Sequence, residues 1–191
     1  MGKKGGENNR MGFTLIELMV TIGIMVIING VIFFNYPKVI ANLALRRTAD
    51  EIALTARQAQ AYAMAAKSVV VGSVTELPSY GVHFDTSVLN NTKIILFADN
   101  DGGDDYDTSP VDEKIQTFEI QTKDKVSALL LCSGSCSSSN IVDVVYSRQS
   151  PTATITGSSD SVEITITAHR DSTMKKCVTI NKNGYISVKN C

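Results

Sequence analysis

The chain has 191 residues, enough for one domain of ordinary size plus an appendage, and 43% of them are hydrophobic against 19% charged, a globular composition. The net charge of -1 excludes a generic polyanion binder, so any charge-based function must come from local asymmetry. Two histidines, with no nucleophile elbow, no Gly-rich phosphate loop and no paired metal-ligand motif, leave no constellation on which to build an enzyme.

Residues 1–12, MGKKGGENNRMG, are polar and Gly-rich and carry Lys3, Lys4 and Arg10 against Glu7. From Phe13 to Phe34 the chain reads FTLIELMVTIGIMVIINGVIFF. At about 22 residues this makes roughly 33 Å of helix, enough to cross the hydrocarbon core of a bilayer. Glu17 is the only charge inside the run. Basic residues before it, and none after it until Lys38, favour a single N-in, C-out pass of the cytoplasmic (inner) membrane, with Lys38, Arg46 and Arg47 as opposing charges. The bulk of the chain is then exported. Its four cysteines, Cys132, Cys136, Cys177 and Cys191, lie in that exported part, where thiols oxidise, and the even count favours two disulfides. The spacing suggests local bridges, although three pairings are open.

An ordinary secretory signal is cut after its apolar core, which is discarded. Here the string Gly12-Phe13-Thr14-Leu15-Ile16-Glu17-Leu18 stands at the start of the apolar run. It resembles the processing site of type IV prepilins and type II secretion pseudopilins. The resemblance implies that residues 1–12 are a leader, that a prepilin peptidase cuts after Gly12, and that the new amino group on Phe13 is methylated. A carboxylate in a lipid-facing helix costs about 2.5 to 3.5 kcal/mol on insertion scales and calls for a partner. For Glu17 the resemblance supplies one, the N-terminal amine of a neighbouring subunit in a filament. The alternative is a glutamate that snorkels to the cytosolic interface, or a plain signal anchor with an incidental acid.

Residues 13–36 thus read as a membrane and filament-core helix, followed by Pro37, which should kink it or release its hydrogen bonds; Gly23 and Gly30 are further soft points. Over residues 37–68 a helical stripe resumes, with Leu45, Ala49, Ile52, Ala56, Ala59, Ala63 and Ala66 stepping by three and four along one face. Arg46, Arg47, Asp50, Glu51 and Arg57 occupy the other faces. This half is expected to lie on a globular head.

From Val69 the pattern turns to short alternating segments punctuated by Gly, Pro, Asn and Ser. Strands are predicted at residues 69–75, 79–84, 93–98, 114–121, 126–132, 141–147, 152–156, 162–167, 176–180 and 185–188, with Asn183-Gly184 as a tight turn before the last. One long helix followed by many strands is an α+β fold, the helix laid on an antiparallel sheet in a head spanning 69–191. Four segments are similar to the GspH/FimT type of minor pseudopilin head: Ser79 to Phe84, Leu96-Phe97-Ala98-Asp99 with its acidic loop, Val145 to Arg148, and Thr179 to Ile186. That resemblance implies a filament subunit whose partners are other pilins, the prepilin peptidase, a membrane assembly machine and, before assembly, the bilayer.

Two clusters in the head hold candidate ligand groups. Asp99, Asp101, Asp104, Asp105 and Asp107 concentrate oxygen ligands beside Gly102 and Gly103, as a Ca²⁺ site needs, but without the EF-hand offsets; a solvated acidic turn is the alternative. Arg148, Arg170, Lys175, Lys176, Lys182 and Lys189 outnumber the acids of the C-terminal stretch. By similarity to competence pilins of the FimT type they are candidate DNA contacts, with a solvated or subunit-facing surface as the alternative. A zinc site using the cysteines with His83 or His169 fits no common spacing.

Overall fold

The computed structural model describes residues 12–71, 74–107 and 113–191. The chain divides into two compact units, one ending at Ile40 and one running from Ala41 to Cys191. A single helix, α1 (Leu15–Met64), supplies all the regular structure among the described residues of the first and opens the second. It continues through Pro37, whose ring has no N–H to give the carbonyl of Phe33.

In the second unit the alanine stripe is the foundation. Leu45, Ala49, Ile52, Ala56, Ala59 and Ala63 are all fully buried, as their spacing predicts. Ala66 departs from the expected stripe. The helix ends at Met64, and Ala66 takes a left-handed φ of 45° while the Lys67 N–H reaches the Tyr62 carbonyl at 3.1 Å. This is a Schellman-type stop with alanine where glycine is usual.

Among the described residues twelve strands succeed α1: β1 (Val69–Val71), β2 (Val74–Glu76), β3 (Ser79–Asp85), β4 (Lys93–Asp99), β5 (Glu113–Glu119), β6 (Lys125–Ser133), β7 (Ser135–Ser139), β8 (Ile141–Tyr146), β9 (Ala153–Ile155), β10 (Ser161–Thr167), β11 (Lys175–Asn181) and β12 (Ile186–Asn190). The architecture is α+β, and every strand pairing is antiparallel. The head holds two five-stranded sheets in place of the single one expected, ordered β12-β11-β10-β6-β7 and β5-β4-β3-β8-β9, with β1-β2 as a separate ribbon. The segment predicted as one strand at 69–75 is that ribbon. Strand β7 is absent from the predicted set because its sequence, Ser-Cys-Ser-Ser-Ser, has neither apolar alternation nor strand-forming side chains. It pairs with β6 instead through a hairpin in which Cys132 faces Cys136.

Alternate residues of both sheets close one core on α1: Tyr80, Val82 and Phe84 from β3, Ile94 and Leu96 from β4, Val142, Val144 and Tyr146 from β8, Val162, Ile164 and Ile166 from β10. In β6, Val126 and Leu129 both face inward although they are three residues apart, because a bulge shifts the register opposite Thr165 and Ile166. The Asn183-Gly184 turn docks on the helix. Gly184 has φ +80°, and a Cβ there would lie 2.1 Å from the Pro151 carbonyl oxygen and 2.4 Å from Gln60 Nε2, so only glycine fits.

Both disulfides form, Cys132 with Cys136 and Cys177 with Cys191, and no described cysteine is free. The second spans 14 residues and ties the C-terminal residue to β11. Closing a loop of that size removes about 3 kcal/mol of unfolded-state freedom. The double substitution Cys177→Ser with Cys191→Ser should therefore lower stability by about that much in denaturant titration, with the midpoint of the oxidised protein as reference. Ala66→Gly should raise it by roughly 0.5 to 1 kcal/mol, because glycine takes the left-handed cap without the Cβ clash; an unchanged or lower midpoint would contradict that cap geometry.

Candidate processing and assembly site

The N-terminal unit is a helix whose apolar side chains point outward all round. Phe13, Leu15, Ile16, Met19, Met25, Val26 and Ile27 are each more than 60% exposed, and no part of the apolar window is buried within the structure. A helix of this composition is stable only where something other than water covers it. Its polar side chains turn onto their own backbone: Thr21 Oγ1 donates to the Leu18 carbonyl at 2.9 Å, and Asn29 Nδ2 to the Met25 carbonyl at 2.8 Å. They therefore add little polar surface to the apolar face.

Thr14 starts the helix. Its Oγ1 accepts the N–H of Glu17 at 3.3 Å and its carbonyl accepts the N–H of Leu18 at 3.2 Å, the first intrahelical bond. Thr14 is thus the N-cap, and Glu17 sits in the first turn, where the helix dipole favours a negative charge. The pattern Thr-x-x-Glu is the sequence signature of such a start, a second use of residues already singled out for processing. Gly12 and Phe13 precede the cap as non-helical, exposed backbone. Among the described residues Glu17 enters no ion pair. An exposed, non-helical Gly12-Phe13 bond and an exposed carboxylate one turn beyond it are therefore both in place.

The prokaryotic N-terminal methylation motif matches residues 8–30. This supports a type IV pilin-like protein, processed by a prepilin peptidase, anchored in a membrane and exported, and assembled with other pilin subunits rather than acting as an enzyme. Curated proteins and solved structures yield no match. The methylation motif covers the cap, Glu17 and most of the apolar run, and it stops short of the head.

In the head, the structure turns the acidic loop to a structural use. Asp99 accepts the N–H groups of Gly102 at 2.7 Å and Asp104 at 3.3 Å, and Asp101 that of Gly103 at 2.9 Å. Asp101, Asp104, Asp105 and Asp107 are exposed, and no described residues form a group of three or more acidic, His or Cys side chains arranged for a metal. The loop's anchor is Tyr106, an aromatic residue hidden in sequence among the acids. Its ring lies 5.2 Å from Phe97 and 5.0 Å from His83, covering the outer face of the β3-β4-β8 sheet. Beneath it His83 Nδ1 meets Asp143 Oδ1 at 2.8 Å, and Gly81 makes room for Phe97, whose ring would lie 2.4 Å from a Cβ there. Local desolvation, and then the charges of Asp107, Asp143, Asp101 and Asp104, push the Asp105 carboxyl above its ordinary value.

The six candidate DNA contacts are dispersed. Arg148 and Lys182 lie near the C-terminal end of α1, where the Gln149 N–H reaches the Ala63 carbonyl and the Ala153 N–H reaches the Lys182 carbonyl. Lys182 pairs with Asp160 and Lys189 with Glu163, while Lys176 donates to Asn190. Arg170 and Lys175 sit on the β10–β11 connection and the start of β11.

One carboxylate organises a turn. Asp85, at the end of β3, accepts the Ser87 N–H at 2.7 Å, Ser87 Oγ at 2.8 Å and Asn90 Nδ2 at 2.8 Å. Burial acts to raise its pKa, but these hydrogen bonds, with the charge of His83, outweigh burial and hold it below its ordinary value of 3.8. The stability it contributes is complete above that ordinary value and is lost as pH falls through the lower folded one. An NMR titration of the Ser87 amide should therefore show a midpoint below 3.8, and a midpoint at or above it would contradict the hydrogen-bonded turn.

Proposed function

We propose that this chain is a minor pilin or pseudopilin, a structural subunit of a type IV pilus or type II secretion pseudopilus, cut after Gly12 and assembled through α1. The observation that carries the reading is the juxtaposition at the helix start: Gly12-Phe13 outside the first turn, Thr14 capping it, and within it the carboxylate of Glu17, which has no ion-pair partner among the described residues. Cleavage before the apolar run keeps the anchor and creates an amine four residues from that carboxylate. In a filament the apolar helix exchanges lipid for helix contacts, and Glu17 is neutralised by the Phe13 amine of a neighbour, which removes the cost of an uncompensated charge among apolar side chains. The GspH/FimT-like segments of the head support a minor place, at which the subunit primes, caps or modifies the filament.

The test is Glu17→Ala expressed in cells that carry a matching filament system. Membrane insertion and cleavage after Gly12 should remain as in the parent chain, the processed mass changing only by the substituted side chain, while recovery in sheared filaments should fall by about tenfold or more, as expected for loss of a pair that contributes a few kcal/mol. Recovery equal to that of the parent chain would remove Glu17 from assembly.

A further inference from the structure

The turn that Asp85 organises presents two large apolar side chains to solvent, Val88 at 88% and Leu89 at 83% exposure. They are the most exposed large apolar residues among those described in the head, on a backbone that is firmly held. The Asn90 and Asn91 N–H groups reach the Ser87 carbonyl, and the Thr86 N–H reaches that of Asn140. Burying apolar side chains at a partner costs little ordering when their backbone is already fixed.

Their place in the head indicates the partner. Tyr80, at the start of β3, packs edge-on against Tyr62 of α1 at 5.4 Å and donates to the Lys67 carbonyl, so β3 begins at the C-terminal end of the helix. At about 3.3 Å per residue, β3 then runs back to Asp85 alongside the helix, a distance comparable with that from Tyr62 to Thr48 at about 1.5 Å per residue. The far end is tied together. Thr48 Oγ1 donates to Asp124 Oδ2 at 3.2 Å, the Val126 N–H reaches the Asn91 carbonyl at 2.8 Å, and the His169 N–H reaches Asp124 Oδ1 at 3.0 Å. Three connections, 86–92, 120–124 and 168–174, therefore gather where the chain enters this unit at Ala41. Only six residues separate Ala41 from the apolar run ending at Phe34. Even fully extended, that stretch reaches no more than about 25 Å.

This end is also cationic. Arg46, Arg47, Lys123, Lys125 and Arg170 are exposed there, with Lys93 half-buried, against exposed Asp50, Glu51 and Glu119 and half-buried Asp171, while Asp85 and Asp124 are buried and spent on hydrogen bonds within the head. An apolar pair at an end of the head with a basic excess matches a bilayer surface, in which apolar tips enter the acyl boundary and cations meet phosphates.

We infer that Val88 and Leu89, with the basic side chains at this end, form a second membrane contact that seats the head on anionic lipid before assembly. The inference rests on the reading of residues 13–34 as a membrane anchor. The chain has no tryptophan, so single substitutions report cleanly. The full-length protein is reconstituted into phosphatidylglycerol-containing vesicles with and without brominated lipid, as Leu89→Trp, as Ile24→Trp in the apolar run, and as Tyr185→Trp at the opposite end of the head. The expected result is blue-shifted emission and bromine quenching for the first two, with water-like, unquenched emission for Tyr185→Trp. Lys123→Glu with Lys125→Glu, or vesicles of phosphatidylcholine alone, should reduce the quenching of Leu89→Trp and leave that of Ile24→Trp unchanged. A water-like Leu89→Trp beside a quenched Ile24→Trp overturns the second contact and leaves the anchor standing, whereas an unquenched Ile24→Trp overturns both. Equal quenching at positions 89 and 185 overturns an end-on seat, and equal quenching in the two lipids overturns the preference for anionic headgroups.

Discussion

Burial of the small-residue stripe of α1 is the constraint on which the head depends. Ala49, Ala56, Ala59 and Ala63 leave no side chain beyond Cβ, so the sheets can approach the helix backbone and fill the space with Tyr80, Phe84, Tyr146 and the isoleucines of β4 and β10. A larger residue in the stripe would force those rings off their rotamers, an overpacking that costs about 1 to 3 kcal/mol. The same closeness accounts for Gly184, whose turn meets Gln60 and Pro151 without room for a methyl group.

The N-terminal half of the same helix obeys the opposite rule. Among the described residues it buries nothing, and it is apolar on every face, so its stability belongs to its surroundings. Its polar side chains are turned inward on the backbone, and its one carboxylate sits in the first turn, where the dipole and the Thr14 cap suit it. A pilin-like subunit needs both properties on one element: a half that can exchange partners and a half that cannot let go of its head.

The head uses its polar residues mainly to hold loops. Asp85 gathers Ser87 and Asn90, Asp124 joins Thr48 to His169, and Asp99 folds the acidic loop over Phe97 with Tyr106 as its plug. Those carboxylates serve hydrogen bonding at short range. The basic residues near the C-terminus are linked to their own sheet in the same way, Lys182 through Asp160 and Lys189 through Glu163.

By itself the sequence determined the features that local period and local chemistry dictate. The apolar run, the Gly12-Phe13 and Glu17 offsets, the alanine stripe, the Asn-Gly turn and most strands are set by residues close together along the chain, whose pattern acts directly on the backbone. Tertiary structure decided the features that depend on residues far apart. The strands split into two sheets, β7 formed on β6 despite a serine sequence, and the bulge at Thr165 and Ile166 brought both Val126 and Leu129 inward. Tertiary packing also paired the cysteines, stopped the helix before Ala66, dispersed the basic residues over opposite ends, and gathered three distant connections around Thr48. Pairing and burial at long range are cooperative outcomes of packing, and no window of sequence contains both partners.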